Sequence, residues 1–361
     1  MTESLTPALP FDLVAEILCL LPVKHLLQLR CVCKSWNYLI SHDSNFAKKQ
    51  LRLSTSNHDR RHLILTPTSF SSEFLLCYFP VSSVFSNSVS TQLIRYPLII
   101  NYGDSFGEVS TCHGMLCFGI DESLALLCNP SIRKFKILPP LQNQNPYRSY
   151  LQTFYTLVYD RFTDNYKVIT VSFCKKVEVN THTLGTDYWK RIQDIPYQCF
   201  IQGLGVFVSD TVNWLAYDIC SSLWHIVSLD LNKESYRKLL QPLYNERLNT
   251  SITLEVLRDC LCILSHGDKF SDIWIMKEYG NEESWTKLFS IPYMEGRGFL
   301  GYCQSVYISE DDQVLMQFLK MGKFSLLVYD SKNDTLKIPE IQNVNGRMTP
   351  NTYIESLISP F

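Results

Sequence analysis

A short strand that closes on proline recurs along this chain, and its spacing narrows the folds open to it. The stretches TQLIRYP, KFKILP, DYWKRIQDIP, SYRKLLQP, SWTKLFSIP and TLKIP end at Pro97, Pro139, Pro196, Pro242, Pro292 and Pro339, so successive prolines stand 42, 57, 46, 50 and 47 residues apart. Each interval has room for four short strands and their turns, which is one propeller blade. The interior agrees: FYTLVYD, NYKVITVSF, KVEVNTHTL and DYWKRI fill one unit, and GVFVSD, TVNWLAYD, HIVSLDL and SYRKLL fill the next. TLEVLRD, CLCILSHGD, DIWIMKEYG and SWTKLF repeat the plan. Apolar and polar residues alternate within the runs, and turn formers such as Asp210, Asn232, Asp259, Gly280 and Asp334 stand between them. The pattern predicts six blades over residues 63–361. A ring of blades must protect the seam where its ends meet. The alternating run NTYIESLIS is predicted to do so by adding a strand to the blade built from residues 63–97.

The first fifty residues follow a different period. In LPFDLVAEILCLLP, Pro10 suits the first helical turn and Asp12 complements the positive helix end. Leu13, Ile17, Leu20 and Leu21 recur at three- and four-residue steps, and Val14 and Leu18 widen their stripe. This predicts a helix over 11–21 that Pro22 ends. A second helix is predicted over 23–31, with Leu26, Leu27 and Arg30 on successive turns, and a third over 34–41, with Trp36, Leu39 and Ile40 on one side. Three short helices cannot enclose this much apolar surface, so part of it must meet the following domain or another protein. Residues 1–8 read as a loose leader and RLSTSNHDRRH as polar connector, which divides the chain into 1–8, 9–53, 54–62 and 63–361.

The order Leu9-Pro10, Asp12-Leu13, Glu16-Ile17-Leu18, Leu21-Pro22-Val23-Lys24, Leu29-Arg30, Val32 and Lys34-Ser35-Trp36 resembles the F-box, the helical module that binds the Skp-type adaptor of cullin–RING ubiquitin ligases. The resemblance implies docking through Leu9, Pro10, Leu13, Ile17, Leu18, Pro22 and Val23, with Trp36 holding the third helix in the F-box core. Leu20 stands where the family usually has arginine and His25 where serine is common, but no apolar anchor is lost. Downstream, STCHGMLCF, CNPSIRKFKILPP, YDRFTDNYKVI, LGTDYWKRIQDIP, VNWLAYD, IVSLDLNKESYRKLLQP, DIWIMKEYGNEESWTKLF and YDSKNDTLKIPEIQ resemble the type 1 F-box-associated domain of plant F-box/kelch-repeat proteins. Cys128 replaces that family's usual tryptophan, and kelch glycine pairs are absent, so the kelch label applies to architecture only. The expected fold class is mainly β with a small all-α domain: a three-helix F-box followed by a kelch-like, six-bladed β-propeller.

Composition bears on what such a chain can bind. A net charge of −2 from 33 basic and 35 acidic residues gives no field that would gather nucleic acid or an anionic membrane. The 13 cysteines are odd in number, and several, including Cys19, Cys77, Cys117, Cys174, Cys260 and Cys262, sit in apolar runs as free thiols would. The start MTESLTPALP lacks the basic and apolar parts of a signal peptide, so the cytoplasm or the nucleus is expected. The uncharged run 74–94 contains Pro80, Asn87, Gln92 and five serines, and reads as strand, turn, strand and not as a membrane span.

Chemistry needs a constellation, and the sequence offers none: no G-x-S-x-G, P-loop, G-x-G-x-x-G or H-E-x-x-H occurs. GLGVFV at Gly203 is a glycine pair leading a strand. Glu310-Asp311-Asp312 and Glu282-Glu283 fall in predicted turns and read as solvated charge. Cys260, Cys262 and His266 lack a fourth ligand and a zinc-like spacing. Phe135, Trp189, Tyr236 and Trp285 recur at like blade positions as inter-blade filler, beside the solvated pairs Arg133-Lys134, Lys190-Arg191 and Arg237-Lys238. No catalytic residue, cofactor or metal is expected. The reading is a substrate receptor of an SCF-type ubiquitin ligase, reaching cullin and RING protein through the adaptor and a target protein through propeller loops. Candidate loops are 142–149, 244–249, 266–271 and 294–298. The alternative is a propeller glycan-binding protein or enzyme with a helical arm, which would need convergent carboxylates, histidines or a metal.

Overall fold

The computed structural model describes residues 9–67, 74–86, 89, 91–96, 108–120, 123–141, 152–173, 177–242, 252–267, 269–293, 304–320, 323–341 and 348–361. The expected leader 1–8 and the candidate loops 142–149, 244–249 and 294–298 lie outside these residues. Helices α1 (Phe11–Leu18), α2 (Val23–Leu29), α3 (Lys34–His42) and α4 (Ser44–Thr55) come first. Pro10 and Pro22 stand just before α1 and α2 with φ of −52° and −59°, a geometry their rings set in advance. The three expected helices are present, and α4 is additional. Asp43 accepts from Asn45 N and Phe46 N, both at 2.9 Å, and so starts α4. Phe46, Ala47, Gln50, Leu51 and Ser54 form its buried face. Two polar members, with Gln50 Nε2 donating to Ser54 Oγ at 2.9 Å, disguise this stripe in the sequence. α4 runs into the stretch read as connector, so only residues 56–60 separate it from the first strand, Arg61–Pro67.

Beyond α4, the described strands make six four-stranded antiparallel sheets, the expected six blades. Their inner strands are Met348–Ile354, Ser110–Cys112, Thr153–Asp160, Cys199–Val208, Ile252–Leu257 and Gln304–Ile308, each packed against the next around a closed ring. The seam closes as expected. Met348–Ile354 joins blade 1 beside Arg61–Pro67, in a register running from Arg61 opposite Ile354 to Pro67 opposite Met348. It stops at Ile354, so the second half of NTYIESLIS leaves the sheet. Two details differ from expectation. The last strand of blade 3 is only Lys190–Arg191, and the run 74–94 holds a helix, Val81–Phe85, between its strands. Pro80 precedes that helix at φ −58°, and Ser83 Oγ donates to Pro80 O at 2.7 Å.

One turn chemistry recurs five times: Asp218, accepting from Cys220 N at 2.9 Å with Ser222 at φ 56°, uses it on the far face of the ring, and four corners use it on the near one. The side chains of Asn129, Asp160, Asp230 and Asp330 accept from the backbone N–H two residues on, at 2.9, 2.9, 3.0 and 3.0 Å. Four residues after each stands Arg133, Asp164, Glu234 or Asp334, with φ of 54°, 51°, 49° and 51°, and the next strand begins there. These corners lie on the face of the ring that carries the helices.

Candidate functional site

α1 is apolar on two faces. Inward, Leu18 and the following Cys19 are buried, with Val14 and Ala15 half-buried against the same cluster. Outward, Leu13 and Ile17 are 50 and 54 % exposed, with Leu9 and Leu20 just beyond the two ends of the helix at 53 and 56 %, while Phe11, on the inward side of the first turn, is 46 % exposed past the edge of the core. A surface helix needs one apolar stripe to hold it to its own core, and the second stripe has no such use. Beside it, where α1 meets α3, lies a groove lined by Phe11, Lys34, Ser35, Tyr38, Leu39 and Asp43. Cys33 Sγ accepts from Trp36 N at 3.5 Å to start α3, and Arg30 Nε donates to Asn37 Oδ1 at 3.2 Å to tie it to α2. Tyr38, also exposed, stacks on His42 with ring centroids 5.7 Å apart.

The structure divides the residues named from the sequence. Leu9, Pro10, Leu13 and Ile17 share the open side of α1, Pro22 is half-buried, and Leu18 and Val23 lie in the core at 3 and 1 % exposure. Trp36 is half-buried against that core. Phe11 and Tyr38 were not singled out. Phe11 continues the inward stripe of Val14, Ala15 and Leu18 past the edge of the core, and Tyr38 is one step off the inward stripe of α3.

The helices do not stand apart from the ring. Their buried residues Leu18, Leu26, Phe46 and Leu51 belong to one continuous cluster with Met115 and Leu127 of blade 2 and Tyr155 and Tyr166 of blade 3. Lys48 Nζ meets Asp164 at 2.5 Å on a blade 3 corner. Lys48 and Tyr159 together hold the Asp164 carboxyl below its ordinary range. Next to this seat His113 faces Tyr166 OH at 3.0 Å, and burial, with the Arg161 charge, lowers its imidazole to about 4.

The other candidates resolve as structural groups. Glu310, Asp311 and Asp312 pair separately with His58 at 3.1 Å, Lys332 at 3.4 Å and Arg258 at 2.5 Å. Glu282 accepts from Leu240 N at 2.7 Å. Burial pushes the Cys262 thiol well up, and His266 Nδ1 faces Ser271 Oγ at 3.1 Å. Among the described residues no three His, Cys, Asp or Glu side chains gather as a metal site. Trp189 Nε1 donates to Pro139 O at 2.7 Å, and Trp285 Nε1 to Leu240 O at 3.0 Å, so each ties its blade to the previous one. Phe135 is 40 % exposed and departs from this pattern. The GLGVFV glycines form a bulge between Gln202 and Val206, and Leu204 N in it donates to Glu108 of blade 2 at 2.8 Å. Glu255, on the inner strand of blade 5, accepts from Ser305 Oγ and from Thr253 Oγ1, the latter at 3.1 Å. Burial raises its carboxyl to about 7 against these hydrogen bonds.

Comparison with known proteins agrees with this geometry. The F-box domain family matches residues 7–48, and the F-box associated beta propeller domain family matches residues 70–360. An F-box/kelch-repeat protein of Arabidopsis thaliana is 28% identical over 360 residues, spanning 98% of this chain and 96% of the relative. The F-box protein CPR1 of the same plant is 23% identical over 387 residues, spanning 97% of this chain and 88% of the relative. Among solved structures, prolyl oligopeptidase B from Galerina marginata is similar with a TM-score of 0.43 and 8% identity over 82% of this chain and 41% of that one, too distant to carry an argument. With its helices at the front and six blades behind them, the chain belongs to the plant F-box proteins that carry an F-box-associated β-propeller.

Proposed function

We propose that this protein is the substrate receptor of a cullin–RING, SCF-type ubiquitin ligase. Its F-box binds the Skp-type adaptor, which brings cullin and RING protein, and its propeller holds the target protein. The observation that carries this reading is the second apolar stripe along α1, with Leu9, Leu13, Ile17 and Leu20 about half exposed on the side away from the face that fills its own core, and Phe11 exposed at the groove beside it. Apolar side chains clustered at the centre of a patch are what partner helices bury. Leu18 and Val23 support that face from beneath. The protein performs no bond chemistry of its own and contributes proximity, raising the target's effective concentration near the conjugating enzyme. We place this work in the cytoplasm or the nucleus.

A pull-down of the full chain with a Skp-type adaptor tests the proposal. Leu9, Pro10 and Ile17 are exposed, so replacing all three by alanine leaves the fold intact and is expected to weaken binding by more than about tenfold. Undiminished binding by the folded variant would sink the assignment of this face.

A further inference from the structure

We infer that residues 355–361 act as a wedge that fixes the angle between the helices and the propeller, and so positions the adaptor face relative to the target; this rests on the receptor reading above. Besides the direct packing on blades 2 and 3 and the Lys48–Asp164 pair, two segments of chain join the helices to the ring. One is covalent, through residues 56–60, and a free link of that length spans about 12 Å and by itself lets its ends swing. Along it, Arg60 donates to Leu20 O and, at 3.1 Å, to Ser54 Oγ. His58 lies 3.4 Å from Tyr307 OH and 3.1 Å from Glu310 of blade 6. The His58–Glu310 pair is largely exposed, and such pairs hold little.

The second connection is the tail. After Ile354 the chain leaves the inner strand of blade 1 and crosses onto blade 2. There Asn129 Nδ2, fully buried, donates to Ser356 O at 3.0 Å, Ser356 Oγ at 3.1 Å and Ile358 O at 2.8 Å. Ser356 Oγ donates in turn to His113 O at 2.7 Å, and Ser131 Oγ meets Tyr353 OH at 2.5 Å. A Cβ on Gly114, whose φ is +78°, would fall 2.4 Å from Ile354 O, so the two backbones approach as only glycine permits. Leu357 and Ile358 then enter the buried cluster shared by Leu26, Phe46 and Leu51 of the helices and Met115 and Leu127 of blade 2. The tail is pinned by hydrogen bonds to blade 2 and extends apolar side chains into the seat of the F-box. In a receptor that acts by proximity, this angle decides which part of a target comes within reach of the conjugating enzyme.

Donor and acceptor dyes at Lys24 in α2 and Asn232 in blade 4, both exposed, read the angle as a distance distribution in the free full-length protein. The intact chain gives one narrow distribution. Deleting 355–361 is expected to broaden it about twofold or more, with hydrogen exchange in blade 5 unchanged and adaptor affinity within about twofold. Asn129→Ala and Ser356→Ala keep every apolar side chain of the seat and carry the same test should the deletion disturb blade 1. A distribution as narrow as that of the intact protein in the folded variants overturns the proposal. Failure of the intact chain to bind the adaptor would instead overturn the receptor reading and leave the wedge standing, because the distance is read without the adaptor.

Discussion

Glu255 sits where the inner strands of blades 5 and 6 meet, with hydroxyls for partners, and burial raises its carboxyl from 4.5 to about 7. The unfolded chain gives up this proton near the ordinary value and the folded chain near 7, so between the two the native state holds the extra proton. Stability therefore falls as pH rises through that window and levels off above it. The contribution has an upper size of about 3 kcal/mol. Glu255→Gln keeps one oxygen to accept from one of the two hydroxyls, turns an N–H to the oxygen of the other, and removes the titration. Urea midpoints measured from pH 4.5 to 8 are expected to lose this part of their slope in the variant; an identical slope would contradict the assignment. Nothing in the sequence around Glu255 distinguishes it from the solvated carboxylates nearby, because its burial arises from a strand some fifty residues away, where Ser305 is.

At the scale of elements, strands were legible because period-two alternation and turn residues recur together, and the helices because their period is different. What escaped the sequence has specific causes. α4 buries Gln50 and Ser54 on its core face, so its stripe reads as polar. α1 is apolar on both faces, so its sequence does not say that Leu18 faces in while Leu13 and Ile17 face out. The repeated corner reads in the sequence as scattered turn residues, whereas its signal is the fixed step from Asn129, Asp160, Asp218, Asp230 and Asp330 to a left-handed residue four positions on. The seam strand carries a prediction of its own. Removing 348–361 takes the inner strand from blade 1 and leaves Arg61–Pro67 as an open edge. The truncated chain should associate through that edge and sediment as oligomers, and a peptide of residues 348–361 added in trans should return it to monomer. A truncated chain that stays monomeric would show that the strand is dispensable to closure.

Across the whole molecule, the helices rest on the corner face of the ring, through the buried cluster over blades 2 and 3 and Lys48 on the blade 3 corner, with the connector's His58 beside blade 6. Because strands within a blade alternate in direction, the end of the strand Cys260–His266 and the start of its neighbour Phe270–Met276 lie on the opposite face, where Phe270 is 47 % exposed. The F-box thus occupies one face of the ring, and the proposed target contact falls to the other. The architecture was readable from the sequence since it is written in repeats, and the target is not, since loops that recognise a partner follow no repeat. If the α1 face is the adaptor's seat, hydrogen exchange on the intact chain with and without a Skp-type adaptor will locate it. Added protection is expected over residues 9–20 and 34–43, with the blades unchanged. Protection confined to the propeller, or no protection anywhere at saturating adaptor, would contradict it.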